Sequence, residues 1–155
     1  MKKLTRIVVL LVLICIFITG CGNKKALTAA EFSDKMSAEN KYLVYDATNQ
    51  FSNYDYIKKV YIVADKDANY QLEFYELDST ENAISFIKSN RKTFENAKGK
   101  SSVESEVEIA NYYKYTLKSN KKYKVLSRID STAVYVDVDE TYKDQIDKIL
   151  EEIGY

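Results

Sequence analysis

The stretch VEIANYYKYTLKSNKKYKVLSRIDSTAVYVDV, residues 107–138, decides the fold class of this chain. Apolar and polar residues alternate along most of it, and alternation with a period of two predicts strands that each bury one face. Two polar turns, residues 118–121 and 130–131, divide it into three predicted strands, Val107–Leu117, Tyr123–Ile129 and Thr132–Val138. Turns this short join antiparallel neighbours, so the stretch predicts an antiparallel meander.

The preceding half of the chain shows a similar pattern. Alternation around Leu43 and Tyr45 predicts a strand over residues 41–46, and a polar loop follows at residues 48–53. Residues 57–64 and 70–77 are rich in β-branched and aromatic side chains, with a polar hairpin loop at residues 65–69. This half therefore predicts three more strands.

Three helices are expected around these strands. Thr28 and Glu31 have the spacing of a capping box, which predicts a helix from about Ala29 to Glu39 with Asn40 as a left-handed stop. A second helix is expected from a cap at Asp78 or Ser79 to a C-terminal glycine at Gly99. A helical stripe predicts a third helix closed by Gly154; the stripe consists of Tyr142, Ile146, Ile149, Leu150 and Ile153.

The element order is thus α-βββ-α-βββ-α, with the charged segment Lys100–Glu106 read as a connection. We expect an α+β fold, a two-layer sandwich in which an antiparallel sheet of about six strands carries the helices on one face. The length allows one domain, residues 27–155.

The composition excludes several kinds of chemistry. The chain has 23 basic and 23 acidic residues, so no basic surface for nucleic acid is indicated. It has no histidine and two cysteines, Cys15 and Cys21, which removes zinc-finger, zincin, Ser-His-Asp and Cys-His sites. An enzyme would depend on carboxylates, lysine, tyrosine or serine. We therefore expect a protein that is not an enzyme and uses no cofactor.

The first residues predict export. A basic opening, residues 1–6, precedes twelve apolar residues from Ile7 to Ile18. As a helix this run spans about 18 Å, too short for a hydrocarbon core of about 30 Å. The order charged, apolar, small is that of a secretory signal peptide, which we place at residues 1–20.

The run Ile18-Thr19-Gly20-Cys21 resembles the lipobox of bacterial lipoproteins. The resemblance covers only residues 1–21 and implies cleavage before Cys21, acylation of its thiol, and a chain held on the extracytoplasmic face of the cell membrane. An ordinary signal peptide that happens to end in a cysteine is the alternative. Residues 21–26 would form a lipidated tether, in which Lys24 and Lys25 either attract anionic headgroups or act as a hydrophilic spacer.

A calcium-like spacing occurs at the first hairpin. Asp65, Asp67, Asn69 and Glu76 occupy positions one, three, five and twelve of an EF-hand loop. Tyr70 stands where that loop needs glycine, and the flanks are predicted strands. Turn chemistry explains the same letters, so these four residues are only weak metal candidates and we expect no metal site.

Three further groups of side chains could carry function. Asp137, Asp139 and Glu140 could form a carboxylate pair or cation site, although capping of the last helix by Asp139 or Thr141 is favoured. Exposed tyrosines on the sheet could receive a sugar ring or a partner chain; the candidate ligand-binding residues are Tyr113, Tyr115, Tyr123 and Tyr135, with Tyr112 beside them. Half-buried sheet positions would explain these tyrosines equally well. The basic run, formed by Lys121, Lys122, Lys124 and Arg128, is interpreted as a solvated face that protects a sheet edge.

The sequence therefore predicts a membrane-anchored, extracytoplasmic lipoprotein that acts as a non-enzymatic binding or interaction module. An accessory or inhibitory partner of another envelope protein is the alternative, and a carboxylate-based hydrolase is a third and less favoured one. The ligand or partner itself is not indicated by any motif.

Overall fold

The computed structural model describes residues 22–38 and 40–155. The expected signal peptide and the expected lipidation at Cys21 lie outside the described residues. Within the described part, no helix combines the length and the apolar character that a membrane-spanning helix requires.

Three α-helices, two short 3-10 helices and seven strands make up this part of the chain. The helices are α1 (Ala29–Ser37), α2 (Thr80–Asn96) and α3 (Lys143–Ile153), with 3-10 turns at Thr48–Phe51 and Glu140–Tyr142. The strands are β1 (Tyr42–Asp46), β2 (Ile57–Asp65), β3 (Gln71–Leu77), β4 (Ser102–Ile109), β5 (Tyr112–Ser119), β6 (Lys122–Ile129) and β7 (Thr132–Asp139).

All seven strands form one antiparallel sheet in the order β1-β2-β3-β7-β6-β5-β4. Every pairing except one joins strands that follow each other in sequence. The exception is β3 with β7, where Glu76 lies opposite Thr132. The sheet therefore consists of two meanders, β1–β3 and β4–β7, which meet at one long-range pairing. The predicted α+β class, the antiparallel sheet and its packing against helices are confirmed.

The expected count of about six strands is one too low, because the segment Lys100–Glu106 is not a connection. Most of it belongs to β4, which pairs with β5 along its whole length. The expected single strand Val107–Leu117 is broken by a tight turn at Ala110 and Asn111, where Ala110 has a positive φ of 52°. Seven of the eight β4 residues are exposed, so the strand shows no burial pattern that a sequence could reveal.

The expectation of helices on one face is also wrong, because successive residues of the central strands enter two different cores. In β3, Phe74 packs in the core that contains α1 and α3, whereas the adjacent Tyr75 packs in the core that contains α2. Adjacent strand residues point to opposite faces. The protein is therefore a three-layer arrangement with α1 and α3 on one face of the sheet and α2 on the other.

Local signals account for three of the six ends of the described α-helices, and α1 ends at Ser37, earlier than the expected Glu39. Thr28 and Glu31 form the predicted capping box, and Ser79 caps α2 through the amide of Asn82. Gly154 closes α3 with a left-handed φ of 83°. Gly99 does not close α2, which has Ala97 as its C-cap; the amide of Gly99 instead donates to Ser119 Oγ at 2.8 Å.

Candidate functional site

A cleft lies on the α2 face of the sheet, between the loop that precedes β2 and the first half of α2. Its volume is about 470 Å³. The cleft is lined by Phe51, Tyr54, Tyr56, Ile57, Tyr75, Asn82, Ser85, Phe86, Ser89 and Asn90. This volume falls within the range of about 300–1,000 Å³ that is usual for small-molecule sites. We refer to it as the aromatic cleft.

Five aromatic rings line the aromatic cleft and pack against one another. Tyr75 makes an edge contact with Phe51 at 5.4 Å between centroids and a tilted contact with Phe86 at 4.6 Å. Tyr54 packs against Tyr56 at 5.8 Å and remains half exposed. These contacts hold the rings in place without a ligand, so the cleft presents a preformed apolar surface.

The polar lining comes from α2. Asn82 donates from Nδ2 to Asp78 Oδ1 at 2.7 Å, and Asn90 donates from Nδ2 to the carbonyl of Phe86 at 2.9 Å. These bonds fix both amide groups, and neither side-chain oxygen accepts a hydrogen bond from a residue of the described ranges. Both oxygens are therefore acceptors for a ligand, and the hydroxyls of Ser85 and Ser89 add donors and acceptors on the same helix.

No residue that lines the aromatic cleft carries a formal charge. Two carboxylates bond to lining residues from outside the cleft: Asp78 accepts from Asn82, and Glu73 accepts from Tyr75 Oη. Burial raises the pKa of Glu73, and burial together with this carboxylate raises the pKa of Tyr75. Tyr75 therefore stays protonated and bonded to Glu73, which fixes its ring in the lining of the cleft.

The four tyrosines that the sequence nominated are not brought together on one exposed surface. Tyr113, Tyr115 and Tyr135 lie on the α2 face, and Tyr123 lies on the opposite face in the core with α3. Tyr113, Tyr115 and Tyr123 are 6%, 1% and 3% exposed. Their burial supports the alternative reading, in which these side chains are part of the core.

The hydroxyls of these buried tyrosines are also occupied. Tyr113 accepts from Arg91 at 3.1 Å, Tyr115 donates to Glu104 at 3.0 Å, and Tyr123 donates to Asp147 at 2.5 Å. Burial raises the pKa of Tyr113 to about 12, and burial also raises the pKa of Tyr135 to about 12. These three hydrogen bonds join β5 to α2 and to β4, and β6 to α3.

The weak metal candidates do not converge. The carboxylate of Asp65 accepts from the amides of Asn69 and Tyr70 inside the hairpin turn. Glu76 lies near the other end of β3, where it accepts from the amide of Ala29 at 2.7 Å. Within residues 22–38 and 40–155, no three acidic or cysteine side chains are placed to hold a metal ion. The hairpin carboxylates act as turn and helix-start acceptors.

The acids at the start of α3 have structural partners. Asp139 accepts from the amide of Thr141 at 3.0 Å and caps the 3-10 turn that leads into α3, whereas α3 itself has Tyr142 as an N-cap without a side-chain hydrogen bond, so the predicted capping of α3 is wrong. Asp137 pairs with Lys124 at 2.7 Å, and Glu140 pairs with Lys118 at 3.0 Å. No carboxylate pair faces an open site here.

The basic run does not protect an edge, because β6 is an interior strand between β5 and β7. Lys124 lies over the ring of Phe94 at 4.7 Å, and Arg128 is 4% exposed and donates to the carbonyls of Asn111 and Asp130. These two side chains therefore help to attach α2 and the strand turns to the sheet.

No pattern in the sequence predicted the aromatic cleft. Phe51 belongs to the predicted polar loop, residues 48–53, and Tyr54 follows that loop. Phe86 and Asn82 lie outside the apolar stripe that the sequence indicates for α2, which consists of Ala83, Ile84, Ile87, Phe94 and Ala97. A signal was nevertheless present: Phe51, Tyr54 and Tyr56 are spaced at two or three residues in a loop, and aromatic side chains in loops commonly line binding sites.

Comparisons of the chain with protein-family models, with curated proteins and with solved structures gave no match, so the site is interpreted from its own residues.

Proposed function

We propose that the protein is an extracytoplasmic lipoprotein, anchored through Cys21, and that it is a non-enzymatic module that binds a neutral, hydroxyl-bearing ring compound in the aromatic cleft. The ligand class is that of carbohydrates. One observation carries this proposal: aromatic rings and fixed amide and hydroxyl groups line the same uncharged cleft.

The chemistry of the lining selects this ligand class. A sugar ring has an apolar face of C–H groups and a rim of hydroxyls, so it can stack on an aromatic ring and exchange hydrogen bonds with amides at the same time. Phe86 and Tyr54 offer ring faces, and Asn82 and Asn90 offer oxygen acceptors. A charged ligand would lose its hydration without gaining a counter-ion, which the lining does not supply.

Binding is tested with residues 22–155, which contain the whole sheet and all three helices. Titrating neutral mono- and disaccharides, with uronic acids as charged comparators, should give chemical-shift changes at cleft residues only for the neutral compounds. Phe86→Ala should weaken binding at least about fivefold, since stacking of a ring is worth about 1–3 kcal/mol by comparison with base stacking. Tyr45→Ala, a half-exposed tyrosine of β1 outside the cleft, is the matched control and should bind as the wild type. Uronic acids binding as tightly as neutral sugars would refute the assigned ligand class.

The lipid anchor is tested separately in the full chain. Cys21→Ser should move the protein from the membrane fraction to the medium, and the mature wild-type chain should begin at an acylated Cys21 by mass spectrometry. A secreted wild-type chain with an unmodified thiol would contradict the anchor and leave the aromatic cleft to be judged on its own titration.

A second candidate function, an accessory or inhibitory partner of another envelope protein, has one observation in its favour. The outer edge of β4 is unpaired within the described sheet, and Val103, Val107 and Ile109 are exposed along it. An extended partner segment could add to such an edge. Pull-down from detergent extract separates the two: a stoichiometric protein partner lost on Val107→Lys supports this candidate, and sugar binding without a partner supports the first.

A carboxylate-based hydrolase is the least favoured proposal, because the acids nominated for it are in ion pairs and caps. Asp137→Asn would have to abolish a hydrolytic activity for that proposal to stand.

A further inference from the structure

The segment before α1 is attached to the domain at Lys24. The backbone N–H of Lys24 donates to Asn111 Oδ1 at 2.9 Å, and Asn111 Nδ2 donates back to the carbonyl of Lys24 at 2.8 Å. The Lys24 ammonium donates to the carbonyl of Gly154 at 2.8 Å and lies 3.6 Å from the ring centre of Tyr112. We call this set of contacts the Lys24 latch.

The Lys24 latch shortens the tether that was expected at residues 21–26. From Cys21 to Lys24 the chain has three residue steps, which reach at most about 11 Å when fully extended. The place where the chain joins the domain is therefore fixed, and it lies within that distance of whatever holds Cys21.

The latch lies at a defined end of the sheet. Strand register places Ile57 opposite Leu77, Tyr112 opposite both Ile129 and Ile109, and Thr132 opposite Ile129. These residues form one end, which we call the proximal end. The distal end carries the β2–β3 turn, the β5–β6 turn and Asp139 at the end of β7.

The aromatic cleft belongs to the proximal end as well. Its residues Phe51, Tyr54 and Tyr56 precede Ile57, and α2 begins at Thr80 just after Leu77. The cleft is on the α2 face, whereas the Lys24 latch contacts Tyr112 and Gly154 on the other face, so the latch leaves the cleft uncovered.

We infer that the domain stands on the membrane with its proximal end against the lipid headgroups, so that the aromatic cleft opens at the bilayer surface and the distal turns point away from it. This inference rests on the proposed anchor at Cys21. The occupant of the proximal end is the membrane surface, because the chain between anchor and latch is too short to let the domain stand on its distal end, about 30 Å from the latch.

The contacts of Lys24 and Lys25 indicate that the orientation depends on the length of the tether and not on attraction of these two lysines to headgroups. The ammonium of Lys24 is engaged in the latch, where burial lowers its pKa, and Lys25 pairs with Glu31 at 2.9 Å. The sequence suggested that these lysines either attract anionic headgroups or act as a hydrophilic spacer. In the structure, Lys24 instead attaches the tether to the domain.

The orientation is tested with single fluorescent labels at the two ends of β2. Asn53→Cys lies in the loop before β2, and Asp67→Cys lies in the β2–β3 turn; both positions are exposed. Because β2 has nine residues, the labels differ in height by about 30 Å. With the acylated chain in vesicles that carry a headgroup nitroxide, the label at residue 53 should be quenched several-fold more than the label at residue 67.

The tether itself provides the control. Twenty Gly-Ser residues inserted between Gly22 and Asn23 should remove most of the difference between the two labels, because the short reach is what imposes the orientation. Equal quenching of both labels without the insertion, or stronger quenching at residue 67, would overturn the inference.

Failure of the anchor can be distinguished from failure of the orientation. If Cys21 is not acylated, the labelled chains stay in solution and the proposed function fails at that point. The orientation is then measured with a chain that carries Cys21→Ser and a hexahistidine segment directly before Gly22, and this chain is bound to vesicles through a nickel-chelating lipid. The same ranking of the labels supports the inference, and its reversal refutes it.

Discussion

Replacing Phe32 with alanine tests whether α1 is an integral part of the core. The rings of Phe32 and Phe74 stack at 4.2 Å with an interplanar angle of 11°, and both side chains are fully buried. Removing a buried phenylalanine ring costs about 3–5 kcal/mol, through lost transfer energy and the cavity left behind. A domain of this size has a free energy of unfolding of about 5–15 kcal/mol, so the loss is a large fraction of the total.

Urea denaturation of residues 22–155 measures this loss. With a slope of about 1–3 kcal/mol per molar urea, the midpoint should fall by about 2 M. Tyr54→Ala, which removes a half-exposed ring, is the matched control and should cost less than about 1 kcal/mol. A double-mutant cycle of Phe32→Leu and Phe74→Leu should show a coupling of about 0.5–1.5 kcal/mol. A cost below about 1.5 kcal/mol for Phe32→Ala would refute the reasoning, because it would mean that α1 is only peripherally attached.

Three further outcomes are expected from the same assay. Thr28→Ala should cost about 1 kcal/mol, because it removes the capping-box oxygen that accepts from the start of α1; an unchanged midpoint would contradict that cap. The hydrogen bond from Lys59 lowers the pKa of Asp46 to about 2, so the stabilisation by this carboxylate is complete above the unfolded pKa near 4 and is lost as the pH falls toward 2. The difference in urea midpoint between wild type and Asp46→Asn should therefore shrink between pH 4 and pH 2. A difference that stays constant from pH 5 to pH 2 would contradict the pairing of Asp46 with Lys59. A Cβ added at Gly99 would lie 2.2 Å from Asn120 Oδ1, so Gly99→Ala should destabilise the domain by about 1 kcal/mol by displacing the Asn120 side chain. The double variant Gly99→Ala, Asn120→Gly should then be no less stable than Asn120→Gly alone. Additive losses of stability would show that the added Cβ clashes with another group.

The parts of the fold that the sequence predicts are those with short-range signals. The capping box at Thr28, the closing glycine at Gly154 and the turns at residues 118–121 and 130–131 each depend on residues within one or two turns of chain. Such signals do not depend on how distant elements pack, so they survive folding unchanged. They were sufficient for the α+β class and for antiparallel pairing.

The placement of helices on both faces of the sheet is indicated in the sequence by adjacent apolar residues in the central strands. Val125 and Leu126 are adjacent and both fully buried, as are Phe74 and its neighbour Tyr75. Adjacent buried residues in a strand require cover on both faces. Reading these positions as continuous apolar runs, and not as alternation, would have predicted the three layers.

The candidate site was beyond the sequence for a different reason. Tyrosine serves equally in a core and on a binding surface, and only burial distinguishes Tyr115 in the core from Tyr54 in the aromatic cleft. The cleft is assembled from a loop and from the side of α2, which no local pattern brings together. Its parts come together only by tertiary packing, in a sheet whose two meanders meet at the β3–β7 pairing.

That pairing also governs how the chain can acquire its structure. Two meanders can each form from nearest-neighbour hairpins, at low entropic cost, before they meet. Their union closes a single large loop that runs from β3 through α2 and the second meander to β7. Lengthening the segment between α2 and β4 changes the closure entropy by only about 0.6 kcal/mol per doubling of that loop. A chain cut near residue 99 should therefore yield two fragments that recombine, one contributing β3 and the other β7 to the pairing between the meanders.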